Sequence, residues 1–314
     1  MRSTTPKVHE AAEALRQQPP LDWVVESLFP LDSTNIVFGE GGSKKTYCML
    51  DLAICVATGR NWLGMKTKSM PCLFVDEESG EKRMLRRLHQ LLNGYGIKKP
   101  IPLYFTTLEQ FNFRDTKQVA ALRQIMLKTK TRFVVIDALA DVALGADENS
   151  VKDLMPVFNF LRQLADSLNA CSVIIHHTNR AGQYRGSSSI RGAVDAMVEI
   201  DSKRKSSLIE FESIKERDAT EPEFSATIKF IREDKVIIQS TSPTTKLSEI
   251  QNLALNYFVS HPDTLITNIP SRSNGHTPES YRHAVYDLVK LKLLKRSNPG
   301  ERGKPATYRA CGKL

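Results

Sequence analysis

The sequence predicts an α/β fold: a parallel sheet with helices on both faces, followed by a small second domain. Short, continuously apolar segments alternate with amphipathic helical segments between residues 35 and 175. Strands that are buried on both faces of a parallel sheet have this composition. A glycine-rich loop joins the first of these strands to a helix, which is typical of a phosphate-binding sheet domain. About the last quarter of the chain lacks this alternation and is strongly basic, so we expect a separate domain there.

The composition is that of a globular protein. Of the 314 residues, 41% are hydrophobic and 25% are charged. No apolar run approaches the roughly 20 residues of a membrane span, and the N-terminus has no signal-peptide core. We therefore expect a cytoplasmic protein without a membrane partner. The five cysteines are scattered without C-x-x-C pairs, which predicts reduced core residues and no zinc or disulfide framework.

The elements of the sheet domain follow one another along the chain. A short polar helix over 8–17 is expected to form an arm ahead of them. The predicted strands and helices are strand 35–38, helix 47–57, strand 71–76, helix 81–92, strand 102–106, helix 115–128, strand 132–137, helix 151–169 and strand 171–175. After Asp195 the pattern changes to strands joined by short loops, at 195–200, 207–213, 224–231 and 235–239. These strands predict an antiparallel extension at one edge of the sheet.

The sequence divides into an N-terminal arm at 1–21, the sheet domain at 22–240, a linker at 241–246 and a small domain at 247–314. A cluster of serine, threonine and proline marks the linker. In the small domain, helix 247–260, a short segment near 264–271 and helix 278–291 predict a three-helix core, with Thr277 as N-cap and Pro278 at the first position of the last helix. A hairpin with a basic turn follows. This layout predicts a winged helix-turn-helix.

The small domain carries most of the excess charge. From Lys246 onward there are eleven lysines and arginines against five acidic residues, an excess of six out of the net +9. A concentrated basic segment is expected of a nucleic-acid-binding module, and a solvated charged surface is the alternative. The predicted DNA contacts are Arg282 on helix 278–291 and Arg302, Lys304 and Arg309 in the hairpin, with Ser280, Tyr281 and His283 near bases.

The glycine-rich loop predicts a triphosphate site. Its residues are Gly39, Glu40, Gly41, Gly42, Ser43, Lys44, Lys45 and Thr46. In such a loop, Lys45 would reach the β- and γ-phosphates and the Thr46 hydroxyl would hold Mg²⁺, which predicts ATP and Mg²⁺ as cofactors. Lys44 departs from the pattern G-x-x-x-x-G-K-[ST], which has glycine at that position. A basic, glycine-rich turn is the alternative.

Two other predicted strands end in carboxylates. Asp137 follows four apolar residues, and a carboxylate there would lie beside the Mg²⁺ held by Thr46. Glu78 follows the strand after the loop helix and is our candidate for orienting the attacking water, with Glu77 as the fallback. For either glutamate, the alternative is an acid that complements the dipole of helix 81–92.

The strand at 171–175 is followed by two histidines and a basic loop. His177 is a candidate sensor of the γ-phosphate, whereas His176 is as readily a core histidine with satisfied hydrogen bonds. A metal site is disfavoured because adjacent histidines on a strand point to opposite faces. Residues 180–192 form a polar Gly/Ser-rich loop in which Arg180, Arg185 and Arg191 suit phosphate contact. A mobile surface loop is the alternative.

Taken in order, these motifs resemble the RecA-like hexameric ATPases, most closely the plasmid and phage RepA-type replicative helicases. The resemblance covers about residues 22–240. Its most specific segments are Phe-Val-Asp-Glu-Glu at 74–78, Asp-Glu-Asn-Ser at 147–150, His-His-Thr-Asn-Arg at 176–180, Arg-Gly-Ser-Ser at 185–188 and Val-Asp-Ala at 194–196. It implies a P-loop core of RecA-like topology, with Glu78 as the catalytic glutamate and His177 as the γ-phosphate sensor.

The resemblance also implies an assembly. Ile-Lys-Glu-Arg at 214–217 is similar to the K-x-R signature of DnaB-like helicases, in which the lysine and arginine reach the nucleotide of the adjacent subunit. Lys215 and Arg217 would then act in trans, with Arg185 as a second candidate, in a homo-oligomer that is usually a hexameric ring. Loop 180–191 would grip a DNA strand in the ring's channel. Without the resemblance, the K-x-R pair is ordinary surface charge.

The function expected from the resemblance is that of an ATP-dependent DNA helicase or translocase acting on single-stranded or duplex DNA in the replication of a plasmid, phage or mobile element. Two alternatives remain open. One is a DNA-binding initiator or regulator that uses ATP only as a switch. The other is a recombinase or loader of the same fold that does not unwind DNA.

Overall fold

The computed structural model describes residues 8, 10–16, 21–146, 150–178, 188–220, 222–241, 248–270, 276–290, 293–298 and 305–311. The chain forms two compact units, Met1–Pro243 and Thr244–Leu314. Among the described residues, every helix is too short or too polar to cross a membrane.

The first half of the larger unit alternates strands with helices. Its elements are α1 (Glu13–Arg16), β1 (Trp23–Val25), β2 (Phe29–Pro30), β3 (Thr34–Gly39), α2 (Lys45–Thr58), β4 (Cys72–Asp76), α3 (Glu81–Gly94), β5 (Leu103–Thr107), α4 (Thr116–Thr129) and β6 (Phe133–Asp137). The second half continues with α5 (Leu139–Val142), α6 (Val151–Leu168), β7 (Cys171–His177), α7 (Ser188–Ala193), β8 (Ala196–Asp201), β9 (Leu208–Lys215), β10 (Glu223–Ile231) and β11 (Lys235–Thr241).

Nine strands form one sheet in the order β11-β10-β9-β8-β3-β7-β6-β4-β5. The strands from β8 to β5 pair in parallel, and β9, β10 and β11 add an antiparallel extension beside β8. The predicted α/β fold, with a mostly parallel sheet and antiparallel edge strands, is therefore confirmed. β3 lies between β7 and β8, so the loop that follows it emerges in the interior of the sheet's carboxyl edge.

Both faces of the sheet are covered, as the continuous apolar runs predict. Alternate residues of β3 enter different cores: Val37 packs in one cluster, and Ile36 and Phe38 pack in the other. Helices α2 and α3 contribute residues to the first cluster, and α4 and α6 to the second. Because a strand alternates its side chains between faces, a strand apolar at every position needs helices on both sides.

Local signals set the ends of several helices. Asp115 caps α4 by accepting from the Lys117 and Gln118 amides, and Ser150 caps α6. Gly59 ends α2 in the left-handed conformation, at φ 69°, which glycine adopts without steric cost. The predicted strands and helices from residue 35 to residue 241 agree with the structure to within two residues.

Three expectations were wrong in part. The helix expected over 8–17 is confined to Glu13–Arg16 within the described residues. The segment predicted as a loop through residue 192 ends in α7, because Ile190 packs into the core and anchors a turn of helix. The segment near 264–271 contains a 3₁₀ turn at Ile266–Asn268 in place of a helix.

The smaller unit contains α8 (Glu249–Ser260), β12 (Thr264–Leu265), the 3₁₀ turn, α9 (Pro278–Lys290), β13 (Leu294–Arg296) and β14 (Thr307–Ala310). Its three strands form an antiparallel sheet in the order β12-β14-β13. Ser248 and Gln251 form a capping box on α8, and Thr277 caps α9 by accepting from the Ser280 amide at 3.2 Å. The two helices pack on the sheet around a core of their own.

Candidate functional site

The glycine-rich loop connects β3 to α2 at the carboxyl edge of the sheet. The Ser43 amide donates to the Glu40 carbonyl oxygen at 3.1 Å, which closes a tight turn. Gly39 passes so close to β8 that a Cβ atom there would lie 2.1 Å from the Ile200 carbonyl oxygen. Gly42 has φ 88°, a conformation that favours glycine. Because the loop leads into the N-terminus of a 14-residue helix, it offers an anion the free helix amides and the positive end of the helix dipole.

Lys45 is the first residue of α2, and only 5% of its surface is exposed. Its ammonium group donates to the carbonyl oxygens of Gly39 at 2.9 Å and Glu40 at 2.7 Å. Burial lowers the pKa of Lys45, and the nearby Asp137 and Glu78 oppose that shift. The ammonium is thus held inside the loop, where phosphate oxygens can replace the carbonyl groups as its acceptors.

Lys44 occupies the position at which the pattern has glycine, and its backbone is in the left-handed region, with φ 70° and ψ 20°. A side chain in that conformation carries a steric cost. The Lys44 ammonium donates to the Ser206 carbonyl oxygen at 3.0 Å and to the Ser202 hydroxyl, both between β8 and β9. The side chain therefore ties the loop to the neighbouring strand connection, and these bonds offset part of the backbone cost.

Thr46 and Asp137 lie side by side. The Thr46 hydroxyl donates to Asp137 Oδ2 at 2.7 Å. Burial raises the pKa of Asp137 to about 7, with smaller contributions from the charges of Glu78 and Asp76, against the lowering effect of the Thr46 hydrogen bond. The strand register explains the contribution of Asp76, since Asp76 pairs with Asp137 across β4 and β6.

The donor set fits Mg²⁺. Within the described part of the chain, no three His, Cys, Asp or Glu side chains form a metal site, but Mg²⁺ is commonly held by one or two protein oxygens, water and substrate phosphates. Buried oxygens at the site support this fit: Asp137 Oδ1 and Asp76 Oδ2 have no hydrogen-bond partner among the described residues. A hydrated cation would satisfy such oxygens.

The three acids that end β4 point in different directions. Asp76 Oδ1 accepts from the amides of Glu78 and Ser79 at 3.1 and 2.9 Å and so shapes the turn. Glu77 is 9% exposed and accepts from the Glu109 amide at 3.2 Å. Glu78 lines the cleft beside the loop. Of the two glutamates singled out from the sequence, the structure thus brings Glu78 to the loop and engages Glu77 with the chain after β5.

His177 reaches the same cleft from β7. It pairs with Gly39 across the parallel ladder, and the Thr178 amide donates to the Gly39 carbonyl oxygen at 3.2 Å. His177 Nε2 lies 3.8 Å from Glu78 Oε2. His176 is 1% exposed and belongs to the interior. The two histidines therefore separate into a cleft residue and a core residue.

The cleft has a volume of about 240 Å³ and contains three aromatic or charged side chains that were not predicted from the sequence. These are Tyr47, Arg87 and Phe230. The rings of Tyr47 and Phe230 meet edge to face with centroids 5.4 Å apart, and the Arg87 guanidinium lies 5.4 Å from the Tyr47 ring centroid. Phe230 is 54% exposed. An exposed aromatic residue beside a glycine-rich loop is a signal, but Phe230 lies on β10, far from the loop in sequence.

Comparison with known protein families identifies this arrangement. A model of the AAA domain family matches residues 2–183, a range that contains the glycine-rich loop, Glu78, Asp137 and His177. The chain belongs to the AAA domain family. It therefore carries a P-loop ATPase domain, for which nucleotide binding is the expected property. A search of the curated proteins found no match to this chain.

Lys215 and Arg217 lie outside the AAA domain match and are absent from the cleft lining. The Lys215 ammonium donates to the carbonyl oxygens of Arg191 and Val194. Arg217 donates to the Gly192 carbonyl oxygen at 3.0 Å and pairs with Asp195 at 3.1 Å. The two side chains that are expected to act in trans thus contact groups of their own chain in this structure.

The basic loop is described only at its end. Arg180 and Arg185 lie outside the described residues, as do Asp147, Glu148 and Asn149. Arg191 lies on α7 and donates to the Ile214 carbonyl oxygen at 3.2 Å. It is exposed, but part of its hydrogen-bonding capacity is used within the chain.

In the smaller unit, the structure corrects one predicted base contact. Tyr281 is 1% exposed and packs in the core, because Tyr281, Val285 and Leu288 share the inner face of α9. The exposed face presents Arg282, His283 and Tyr286 instead.

The predicted wing contacts have different outcomes. Arg309 forms a two-contact ion pair with Asp263, with Nε to Oδ1 at 3.0 Å, so its charge is largely balanced. Arg302 and Lys304 lie outside the described residues.

Proposed function

We propose that this AAA domain protein is an ATP-driven helicase or translocase that acts on DNA in the replication of a plasmid, phage or other mobile element. The observation that carries the proposal is the cleft. It combines a phosphate loop, a Thr46–Asp137 pair and a Glu78 carboxylate 3.8 Å from His177. These are the groups that positioning, metal binding and water activation require in phosphoryl transfer.

Each side chain has a separate role in the proposed hydrolysis. The Lys45 ammonium exchanges the carbonyl groups of its own loop for the β- and γ-phosphates of ATP. Thr46 and Asp137 hold Mg²⁺, which when bound neutralises charge on the phosphate oxygens. Glu78 orients the attacking water, and His177 contacts the γ-phosphate from β7. The lowered pKa of Lys45, caused by burial, is compatible with an ammonium that gains from a phosphate partner.

The aromatic side of the cleft suits the base of the nucleotide. Phe230 and Tyr47 offer ring surfaces next to the loop, and a purine can stack on an exposed ring. In this arrangement the triphosphate lies along Gly42, Lys45 and Thr46 and the base lies against Phe230. Replacing Phe230 by alanine is expected to weaken nucleotide binding, whereas replacing it by tyrosine is not.

A ring would complete the site. The sequence resembles RepA-type and DnaB-like helicases, in which a K-x-R pair acts on the nucleotide of the adjacent copy. We propose the same role for Lys215 and Arg217, with the protein as a homo-oligomer, most simply a hexamer. Lys215 and Arg217 do not line the cleft of their own chain, which supports this role.

We also propose that the smaller unit is a winged helix that binds duplex DNA. Its element order and its basic composition support this reading. The exposed side chains of α9, namely Arg282, His283 and Tyr286, would face the bases, and Arg302 and Lys304 would contact phosphates. Arg309, paired with Asp263, would contribute less. The double variant Arg282→Ala/Tyr286→Ala is expected to weaken duplex binding and leave basal ATPase activity unchanged.

The test of the proposed function is DNA-stimulated ATPase activity together with strand separation on a forked duplex. Both are expected in the native protein and lost in Lys45→Ala and Glu78→Gln, while Glu77→Gln serves as the control for a neighbouring carboxylate outside the cleft. ATP binding without turnover would contradict a motor. That result would favour the second candidate, an ATP-switched DNA-binding initiator, for which the tie between Lys44 and the β8–β9 connection is the supporting observation.

A further inference from the structure

The C-terminal end of α7 is held by cations from other parts of the larger unit. The carbonyl oxygens of residues 191–194 are four consecutive acceptors. Lys215 donates to the first and the last of them, Arg217 to the second at 3.0 Å, and Arg162, on α6, to the third at 2.9 Å. Each of the four carbonyl groups therefore accepts a hydrogen bond from a cationic side chain.

These hydrogen bonds supply partners that the carbonyl groups at the end of a short helix lack. The last four carbonyl groups of any helix lack partners within the helix, and that end carries the negative end of the dipole. α7 has only 6 residues, too few for a helix to be stable by itself. Hydrogen bonds from charged donors contribute more than neutral ones. The three cations therefore stabilise the helical state of α7.

The cluster holds more positive charge than the carbonyl groups need. Arg191 itself donates back to the Ile214 carbonyl oxygen, which places a fourth cation beside Lys215. Burial lowers the pKa of Lys215, and the charges of Arg217, Arg191 and Arg162 lower it further, against the opposite effect of Asp195. Cations crowded in this way would gain from an additional anion.

Arg217 cannot serve two sites at once. One terminal nitrogen contacts Asp195 at 3.1 Å and the other donates to Gly192 at 3.0 Å. A guanidinium group binds phosphate best through two parallel hydrogen bonds. A two-bond contact to a phosphate therefore requires Arg217 to leave at least one of its present partners.

We propose that Arg162, Lys215 and Arg217 form a clamp on α7 with two positions. In the first, all three side chains hold the carbonyl groups of residues 191–194. In the second, Lys215 and Arg217 leave α7 for a nucleotide phosphate of an adjacent copy, and Arg162 alone remains. The second position rests on the proposed function, whereas the first does not. Arg162 is a positioning residue that acts through α7.

The first position is tested by hydrogen exchange of the amides of residues 190–195, in the full-length protein without nucleotide. Each of Arg162→Ala, Lys215→Ala and Arg217→Ala is expected to speed exchange in this segment about tenfold or more, given the size of a charged hydrogen bond. The matched control is Arg132→Ala, because Arg132 donates to the Asn169 carbonyl oxygen at the end of α6 at 3.0 Å. It should leave residues 190–195 unchanged. Native-like exchange of this segment in Arg162→Ala and Arg217→Ala would overturn the clamp.

The second position is tested in the native protein with a non-hydrolysable ATP analogue, under conditions in which its assembly is followed by light scattering. Because both Lys215 and Arg217 leave α7 in the second position, exchange of residues 190–195 is expected to rise to at least the level of the Arg217→Ala variant when the assembly forms. Unchanged exchange in an assembled, nucleotide-bound protein would overturn the second position. Failure to assemble at all would overturn it together with the proposed ring, and would leave the nucleotide-free result as evidence for the clamp alone.

Discussion

Lys45 and Lys215 are both held by carbonyl groups of their own chain, but in different surroundings. Lys45 bonds to the glycine-rich loop, in a cleft lined by Asp137, whose buried Oδ1 has no hydrogen-bond partner in the described residues. Lys215 bonds to the end of α7, where its hydrogen bonds complete a helix. One part of the proposed site is therefore built locally, in a cleft that is open to a ligand. The other part is bonded to its own chain, and in the proposed trans role it would have to exchange partners.

The largest effect on the ATPase rate is expected from Arg217. Arg217→Ala should lower the ATPase rate of the assembled protein by about 10³–10⁵-fold, the range of an arginine that stabilises the transition state from a neighbour. Nucleotide binding should change much less. Turnover and nucleotide affinity measured side by side check this, with Arg132→Ala as the control. A loss below tenfold would mean that Arg217 serves α7 only.

On the Lys45 side, the largest effect on turnover is expected from Glu78. Glu78→Gln should lower the rate by about 10²–10⁴-fold, as for loss of a group that assists proton transfer, while ATP still binds. Single-turnover kinetics with a nucleotide-binding assay separate these effects. Glu77→Gln should stay close to the native rate, because Glu77 faces the Glu109 amide. Equal losses in both variants would contradict the division of roles at the end of β4.

The pH dependence of Mg²⁺ binding tests whether the buried Asp137 carboxylate helps to hold the cation. Burial raises the pKa of Asp137 to about 7, so a proton competes with the cation below that pH. In the presence of ATP, the apparent Mg²⁺ affinity should rise between pH 6 and 7, by at most about tenfold per pH unit, and level off above.

Two variants control the pH experiment. Asp137→Asn should reduce the slope to the part that protonation of the ATP γ-phosphate itself causes. Burial also raises the pKa of Asp51 to about 7. Asp51→Asn should nevertheless keep the slope, because Asp51 lies in the core and accepts hydrogen bonds from Tyr95 and Trp62. A slope in Asp137→Asn as steep as that of the native protein would contradict the assignment of Asp137.

The smallest effect is expected at Lys44 of the glycine-rich loop and concerns the free energy of unfolding. Lys44→Gly and Lys44→Ala both remove the tie to Ser202 and Ser206, but only glycine relieves the left-handed backbone. Lys44→Gly should therefore be more stable than Lys44→Ala by about 1 kcal/mol, measured by denaturant unfolding. Equal stabilities would mean that the backbone at residue 44 relaxes without strain.

The sequence predicted most of the fold because its signals are local. The apolar runs that became β3, β4, β6 and β7 are each readable in a few residues, and each ends in a group that the parallel register brings to one edge. Asp137, Glu78 and His177 could be placed near the loop for that reason.

Features that depend on distant partners could not be predicted. Phe230 reaches the cleft only because β10 lies two strands away from β8 in the sheet. Tyr281 was assigned to the wrong face of α9, since its outward or inward position depends on how α9 packs on the rest of the smaller unit. The acceptors of Lys215 lie at the end of α7 and directly after it, more than 20 residues before Lys215 in the sequence.

The proposal that one chain's cleft is completed by the Arg217 of another can be tested by mixing two variants. Lys45→Ala lacks a working cleft and Arg217→Ala lacks the trans contact, so each variant alone should be inactive. In an equal mixture, about a quarter of the interfaces in a closed homo-oligomer would join an intact cleft to an intact Arg217. ATPase activity should therefore reappear on mixing, at up to about a quarter of the native rate. A mixture no more active than the sum of its separate variants would contradict it.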